Sequence, residues 1–213
     1  MQMIDGMFKK AARPLAMISL CCAAVVSLQG CVEMMVGSAV IGTFAATDRR
    51  TFGAQTEDKS IVLKGESRVA RALGDAAHVN VSSFNRRALL TGEVADEQAK
   101  ATAEREVRAI EGVQAVSNEL QISGLSNYSS RSSDALITTK VKASFVDTKD
   151  LYGSAFKVVT EAGVVYLMGR VTQREGDLAG EVARGVSGVR QVVKVFDYIG
   201  EAELKEMTAS PNK

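Results

Sequence analysis

The sequence predicts an α+β fold built twice: two tandem αββαβ units, each a small three-stranded mixed sheet packed against two helices. Three observations predict it. Leu89-Leu90-Thr91-Gly92-Glu93-Val94 recurs as Tyr166-Leu167-Met168-Gly169-Arg170-Val171, and Ile110-Glu111-Gly112-Val113-Gln114-Ala115-Val116 recurs as Val186-Ser187-Gly188-Val189-Arg190-Gln191-Val192. Period-two stretches flank Gly-containing turns, the pattern of a hairpin. Between the two motifs of the first copy, Ala99, Ala103, Val107 and Ile110 recur at helical spacing, an apolar face suited to covering a sheet.

The leader comes first. Lys9, Lys10 and Arg13 precede an apolar run from Leu15 to Leu28, and residues 1–30 read as a signal peptide. The run is too short for a membrane span, which needs about 20 residues. It ends in Leu28-Gln29-Gly30-Cys31. A Leu three residues before a Cys, with Gly just ahead of it, resembles the lipobox of bacterial lipoproteins. That resemblance implies a lipid acylated onto Cys31 and cleavage before it. Cys21 and Cys22 lie in the run and leave with the signal, so the processed chain keeps Cys31 alone and no internal disulfide is expected. Several acyl chains satisfy the two-signal condition for stable anchoring. By the same resemblance Val32, where Asp would hold a lipoprotein at the inner membrane, implies the outer membrane. Residues 31–59 are expected to be a lipidated tether.

The first unit is expected over 60–123. Its first helix is placed at about Lys64–Gly74, its hairpin at His78–Ser82 and Arg87–Val94, its second helix at Asp96–Glu111 and its last strand at Ala115–Ile122. Residues 124–132 are a Ser-rich linker, part of a stretch from Ser123 to Ser133 with six serines. The second unit is expected over 133–199. Its helix is placed at Asp134–Asp147, its hairpin at Phe156–Thr160 and Val164–Val171, its second helix at Thr172–Ser187 and its last strand at Gln191–Ile199. Thr172 and Glu175 have the spacing of a capping box. Gly112 and Gly188 are expected as left-handed helix C-caps. In that last strand Val193 and Val195 make the second face apolar too, which suggests cover from the other repeat. Residues 200–213 are expected to be a polar tail.

The repeated pattern, a Gly in the hairpin's second strand, an Ala-containing helix, then Gly-Val-x-x-Val, resembles the BON domain. The second copy carries it best, in Ile137-Thr138-Thr139-Lys140-Val141-Lys142 and Val165-Tyr166-Leu167-Met168-Gly169-Arg170-Val171-Thr172. A lipobox followed by two such domains resembles the dual-BON-domain outer-membrane lipoproteins, and Ala45-Ala46-Thr47-Asp48-Arg49-Arg50-Thr51 is similar to that family's lead into its first domain. The resemblance implies a periplasm-facing protein that binds anionic phospholipid and supports envelope integrity.

Composition narrows the function further. With 213 residues, 46% hydrophobic and 24% charged, the chain is not a disordered one. A net charge of +1 gives no whole-molecule pull toward nucleic acid, and no nucleic-acid partner is expected. One His and no Trp exclude a metalloenzyme built on several His ligands. His78 reads as a strand-edge residue, and Asp147 and Asp150 beside Lys149 as a loop cluster. No phosphate loop appears. No catalytic residue, metal site or cofactor is expected.

Binding then needs a surface. Ile137, Val141 and Phe145 form the core stripe of the second unit's first helix. Leu136, Ala143 and Val146 make a second stripe, with Thr139 and Lys140 alongside. The stripe is a broad core face, a contact with the other repeat, or an outward patch; with the phospholipid binding that the resemblance implies, the expected lipid-binding residues are Leu136, Thr139, Lys140, Ala143 and Val146. The alternative reading is an adaptor gripping an envelope protein through the same patch.

Overall fold

Each repeat is a β-hairpin whose second strand also pairs, in parallel, with the strand that closes the unit. The computed structural model describes residues 48–123 and 128–209. The expected signal peptide, Cys31 and the tether up to residue 47 lie outside the described residues. So do 124–127 of the linker and 210–213 of the tail.

In the first repeat the elements are α1 (Phe52–Leu73), β1 (His78–Phe84), β2 (Arg87–Val94), α2 (Glu97–Arg108), β3 (Ala115–Asn118) and β4 (Gln121–Ile122). In the second they are α3 (Tyr128–Asp147), β5 (Phe156–Glu161), β6 (Val164–Val171), α4 (Gln173–Arg184) and β7 (Gln191–Tyr198), followed by α5 (Glu201–Ala209). β1 runs antiparallel to β2, and β3 and β4 run parallel to it. The second sheet has the order β5-β6-β7, with β5 antiparallel and β7 parallel to β6. The fold is the α+β double unit that the repeats imply.

The helices form for reasons visible in their ends. Thr51 caps α1 and Asp96 caps α2, each side-chain oxygen accepting from the backbone N–H three residues on. Thr172 and Glu175 form both halves of the capping box at the start of α4. The face Ala99, Ala103, Val107 and Ile110 packs into the first core, against Ile61 and Val69 of α1 and Leu90 and Val94 of β2. Ile137, Val141 and Phe145 fill the second core, against Val165 and Leu167 of β6 and Phe196 of β7.

Several boundaries differ from expectation. α1 begins at Phe52, twelve residues before the expected start, so the last part of the expected tether is helical. Its inward positions include Asp58 and Gly65, residue types that break an apolar stripe. Gly65 lets α1 approach β1 closely: a Cβ there would sit 3.0 Å from a Val81 methyl carbon. α3 begins at Tyr128, inside the expected linker. The expected tail carries α5, whose first turn holds Glu201 and Glu203, suited to the positive end of a helix dipole. The closing strand of the first repeat is broken at Glu119-Leu120. There the Asn118 side chain bonds the Lys100 carbonyl and accepts from the Leu120 N–H, and Leu120 turns into the core. Gly112 and Gly188 have positive φ, +89° and +99°, but lie four residues beyond the helices. They turn the chain toward the last strand rather than cap.

Residues from Thr47 onward form one compact unit holding both repeats. Inside it the sheets face one another. Phe84 and Leu89 of the first repeat bury against Tyr166 and Met168 of the second, with Val193 and Val195 at their edge. This is the cover that the two apolar faces of β7 call for. Burying each of these large side chains is worth about 1.5–3 kcal/mol.

Candidate functional site

The expected lipid-binding stripe is set by the phase of α3. With Ile137, Val141 and Phe145 turned into the core, the 3.6-residue period forces Leu136, Thr139, Lys140, Ala143 and Val146 outward. All five are exposed. Leu136 is 64% and Val146 78% accessible, among the most exposed large apolar side chains described. Nothing in folding alone rewards an apolar residue there.

Two features extend this face. Tyr152 is also exposed. It is followed by Gly153, where a Cβ would lie 3.9 Å from a Val146 methyl carbon, so the backbone that carries Tyr152 passes beside the end of the stripe. The sequence reading missed Tyr152, because it lies in a loop and shares no helical period with Val146. The second feature is a groove between α3 and α4. Lys140, Ala143 and Asp147 line one wall, and Leu178, Glu181 and Val182 the other. Its polar rim carries both signs of charge.

The seam between the sheets holds the other polar concentration. Asn80 Nδ2 donates to Glu161 Oε2 at 2.8 Å, and the Lys157 ammonium donates to the Ser83 carbonyl at 3.3 Å. Asn85 Nδ2 donates to Asp197 at 2.9 Å. Burial pushes the Lys157 ammonium below its usual range, a push that Arg50 adds to. Burial likewise pushes Glu161 up, against the pull of the Asn80 hydrogen bond and of His78.

The lead-in residues are built into both repeats. Arg49 makes a two-pronged pair with Glu175, at 2.8 and 2.7 Å, and donates to the Arg170 carbonyl. Arg50 pairs with Asp58 at 2.8 Å and lies over the Phe84 ring, 4.2 Å from its centroid. The two successive arginines therefore go to different repeats.

The BON-domain family model matches residues 55–124 and 133–200. These two matches take in both folded units. The chain belongs to the BON-domain family. It is 36% identical over 189 residues to the outer membrane lipoprotein DolP of Haemophilus influenzae, covering 87% of this chain and 97% of that one. A 21 kDa hemolysin of Actinobacillus pleuropneumoniae is 32% identical over 158 residues, 71% of this chain and 79% of its own length. A solved structure of CdsD, a structural protein of the type III secretion system of Chlamydia trachomatis, matches with a TM-score of 0.29 and 11% identity over 71% of this chain and 98% of that one, too loosely to bear on function. Two BON domains in tandem and this degree of identity make the chain a DolP-like, dual-BON protein, and the likeness supports an outer-membrane lipoprotein. No helix among the described residues is long and apolar enough to cross a membrane.

Proposed function

We propose that this BON protein is a lipid-anchored component of the outer membrane, acylated at Cys31 and facing the periplasm. Its second domain binds anionic phospholipid through the outward face of α3 and so supports outer-membrane integrity. No chemistry is assigned to it. The observation that carries the reading is the exposure of Leu136 and Val146 on one side of a helix whose other side serves the core. Lys140 and Lys142 stand exposed on the same helix, where they can meet headgroup phosphates. Tyr152 supplies an amphipathic ring of the kind favoured at a membrane interface. The resemblance to DolP supports the location.

One observation favours the second reading, an adaptor for an envelope protein. Asp147 and Glu181 line the groove beside the stripe, and carboxylates repel an anionic surface. Co-pelleting of the protein with vesicles separates the two. Retention on anionic vesicles but not on neutral ones supports lipid binding. Equal failure on both leaves the adaptor.

A further inference from the structure

Glu161 ends β5 in the second domain and points across the seam at the first domain's hairpin. The residues it meets form two consecutive cross-strand pairs of one sheet face, His78 opposite Glu93 and Asn80 opposite Thr91. His78 Nδ1 lies 2.9 Å from Glu93 Oε2. The Glu161 carboxylate takes the Asn80 amide at 2.8 Å and the Thr91 hydroxyl at 3.5 Å. His78, Glu93 and Glu161 each offer a ligand atom, and the three atoms lie within 4.8 Å of one another.

This group is short of positive charge. Glu93 is 4% and Glu161 9% accessible. Among the described residues neither is paired with a lysine or arginine, and His78 is the only basic partner of Glu93. Two carboxylates removed from water side by side repel each other, and no described lysine or arginine supplies the compensating charge that buried anions need. Glu175, by contrast, has Arg49, and Asp58 has Arg50.

We infer that His78, Glu93 and Glu161 bind a divalent transition-metal cation that clasps the two domains together. One imidazole nitrogen and two carboxylates are a donor set that zinc accepts, with water free to complete four ligands. Ligand bonds of about 2.0–2.2 Å need the three atoms to draw together by roughly an ångström, within reach of the side-chain torsions of His and Glu. Coordination through Nδ1 requires that the proton shared with Glu93 leave this nitrogen; the imidazole then carries its one proton on Nε2, and the cation takes the bridging place between Nδ1 and the carboxylate. Two ligands come from the first domain and one from the second, so the bound ion favours the docked arrangement over any separated one.

The test uses the full chain purified in detergent, stripped with EDTA and dialysed against zinc chloride. We expect one zinc per chain and a melting temperature that rises with zinc concentration. Glu161→Gln relieves the like-charge contact and keeps the Asn80 contact, so the metal-free variant should melt no lower than wild type. It should nevertheless bind zinc at least about tenfold more weakly, roughly 1.4 kcal/mol, and lose the zinc-dependent rise. His78→Asn should do the same. Absence of zinc uptake by the wild type overturns the inference. So does uptake that Glu161→Gln and His78→Asn leave unchanged, because that zinc would sit elsewhere on the chain.

Discussion

Asp58 and Asp134 do the same thing in the two repeats: each carboxylate forks over the tip of its own hairpin. Asp58 Oδ2 and Oδ1 accept from the Asn85 and Arg86 N–H groups, both at 2.8 Å. Asp134 Oδ2 and Oδ1 accept from the Ala162 and Gly163 N–H groups, at 2.9 and 2.8 Å. All four turn residues have positive φ, the pattern of a tight two-residue hairpin turn. Arg86 and Ala162 are not residues that favour it. The carboxylate stabilises the turn that the local sequence does not, and it ties the first helix of each domain to its sheet.

Asp134→Ala should therefore destabilise the second domain by about 1–3 kcal/mol, the effect of leaving buried N–H groups unpaired. Asp58→Ala should cost more, because Asp58 also accepts from Ser83 Oγ at 2.6 Å and pairs with Arg50. Urea melts of the two variants check the order. Equal losses would mean that the extra partners of Asp58 contribute nothing net.

Gly92 and Gly169 hold matching places in the second hairpin strands but need to be glycine for different reasons. Gly92 has a φ of +115°, and a Cβ there would lie 2.0 Å from the His78 carbonyl oxygen. Gly169 is not in that backbone region; its Cβ would meet the Ala155 carbonyl oxygen at 2.6 Å. Strain plus collision should make Gly92→Ala the worse of the two alanine variants, with backbone strain alone of order 1–3 kcal/mol. Gly169→Val should destabilise the second domain as well. Thermal melts test both.

Arg49→Gln should destabilise the protein by about 3–5 kcal/mol, because it leaves Glu175 buried without its partner. The loss should depend on pH. Burial works to raise Glu175, but the Arg49 hydrogen bond and charge, with the Thr172 backbone bond, hold it below its ordinary 4.5. A carboxyl depressed on folding contributes stability above its unfolded pKa and loses it as pH falls through the folded one. The variant's deficit should thus be largest near neutral pH and shrink in acid, where Glu175 takes up a proton. A deficit constant from pH 7 down to about 3 contradicts this assignment.

Leu136→Glu and Val146→Glu should each leave the fold intact and weaken binding to anionic vesicles at least about tenfold, roughly 1.4 kcal/mol. Ile137→Glu should unfold the second domain, since Ile137 is buried in its core. Lys140→Glu should weaken binding in low salt and less in high salt. Folded Leu136→Glu protein that pellets like wild type removes the lipid reading.

What the sequence made legible was whatever obeyed a period or a local rule. The stripe of Ile137, Val141 and Phe145, the capping box of Thr172 and Glu175, and the apolar second face of β7 stand in the structure as their patterns require. The start of α1 was hidden because Asp58 and Gly65 occupy inward positions, one to reach the hairpin tip and one to let Val81 come close. A polar residue in a core slot looks like a break until its partners are known. The Tyr152–Gly153 backbone beside Val146, and Glu161 beside His78, are pairings made only in space. The residues brought together in the second pair are more than eighty positions apart, and no helical or strand period links them.

The arrangement of Arg49 and Arg50 sets how the molecule bears a pull. Tension drawn along the chain ahead of Asp48 does not reach the first domain alone and pass through it to the second. It divides at two neighbouring residues, through Arg49 into the N-terminus of α4 and through Arg50 into α1. The domains are loaded in parallel, like two hands on one rope. The two domains cannot be peeled apart by such a pull until the buried Arg49–Glu175 pair has first been torn.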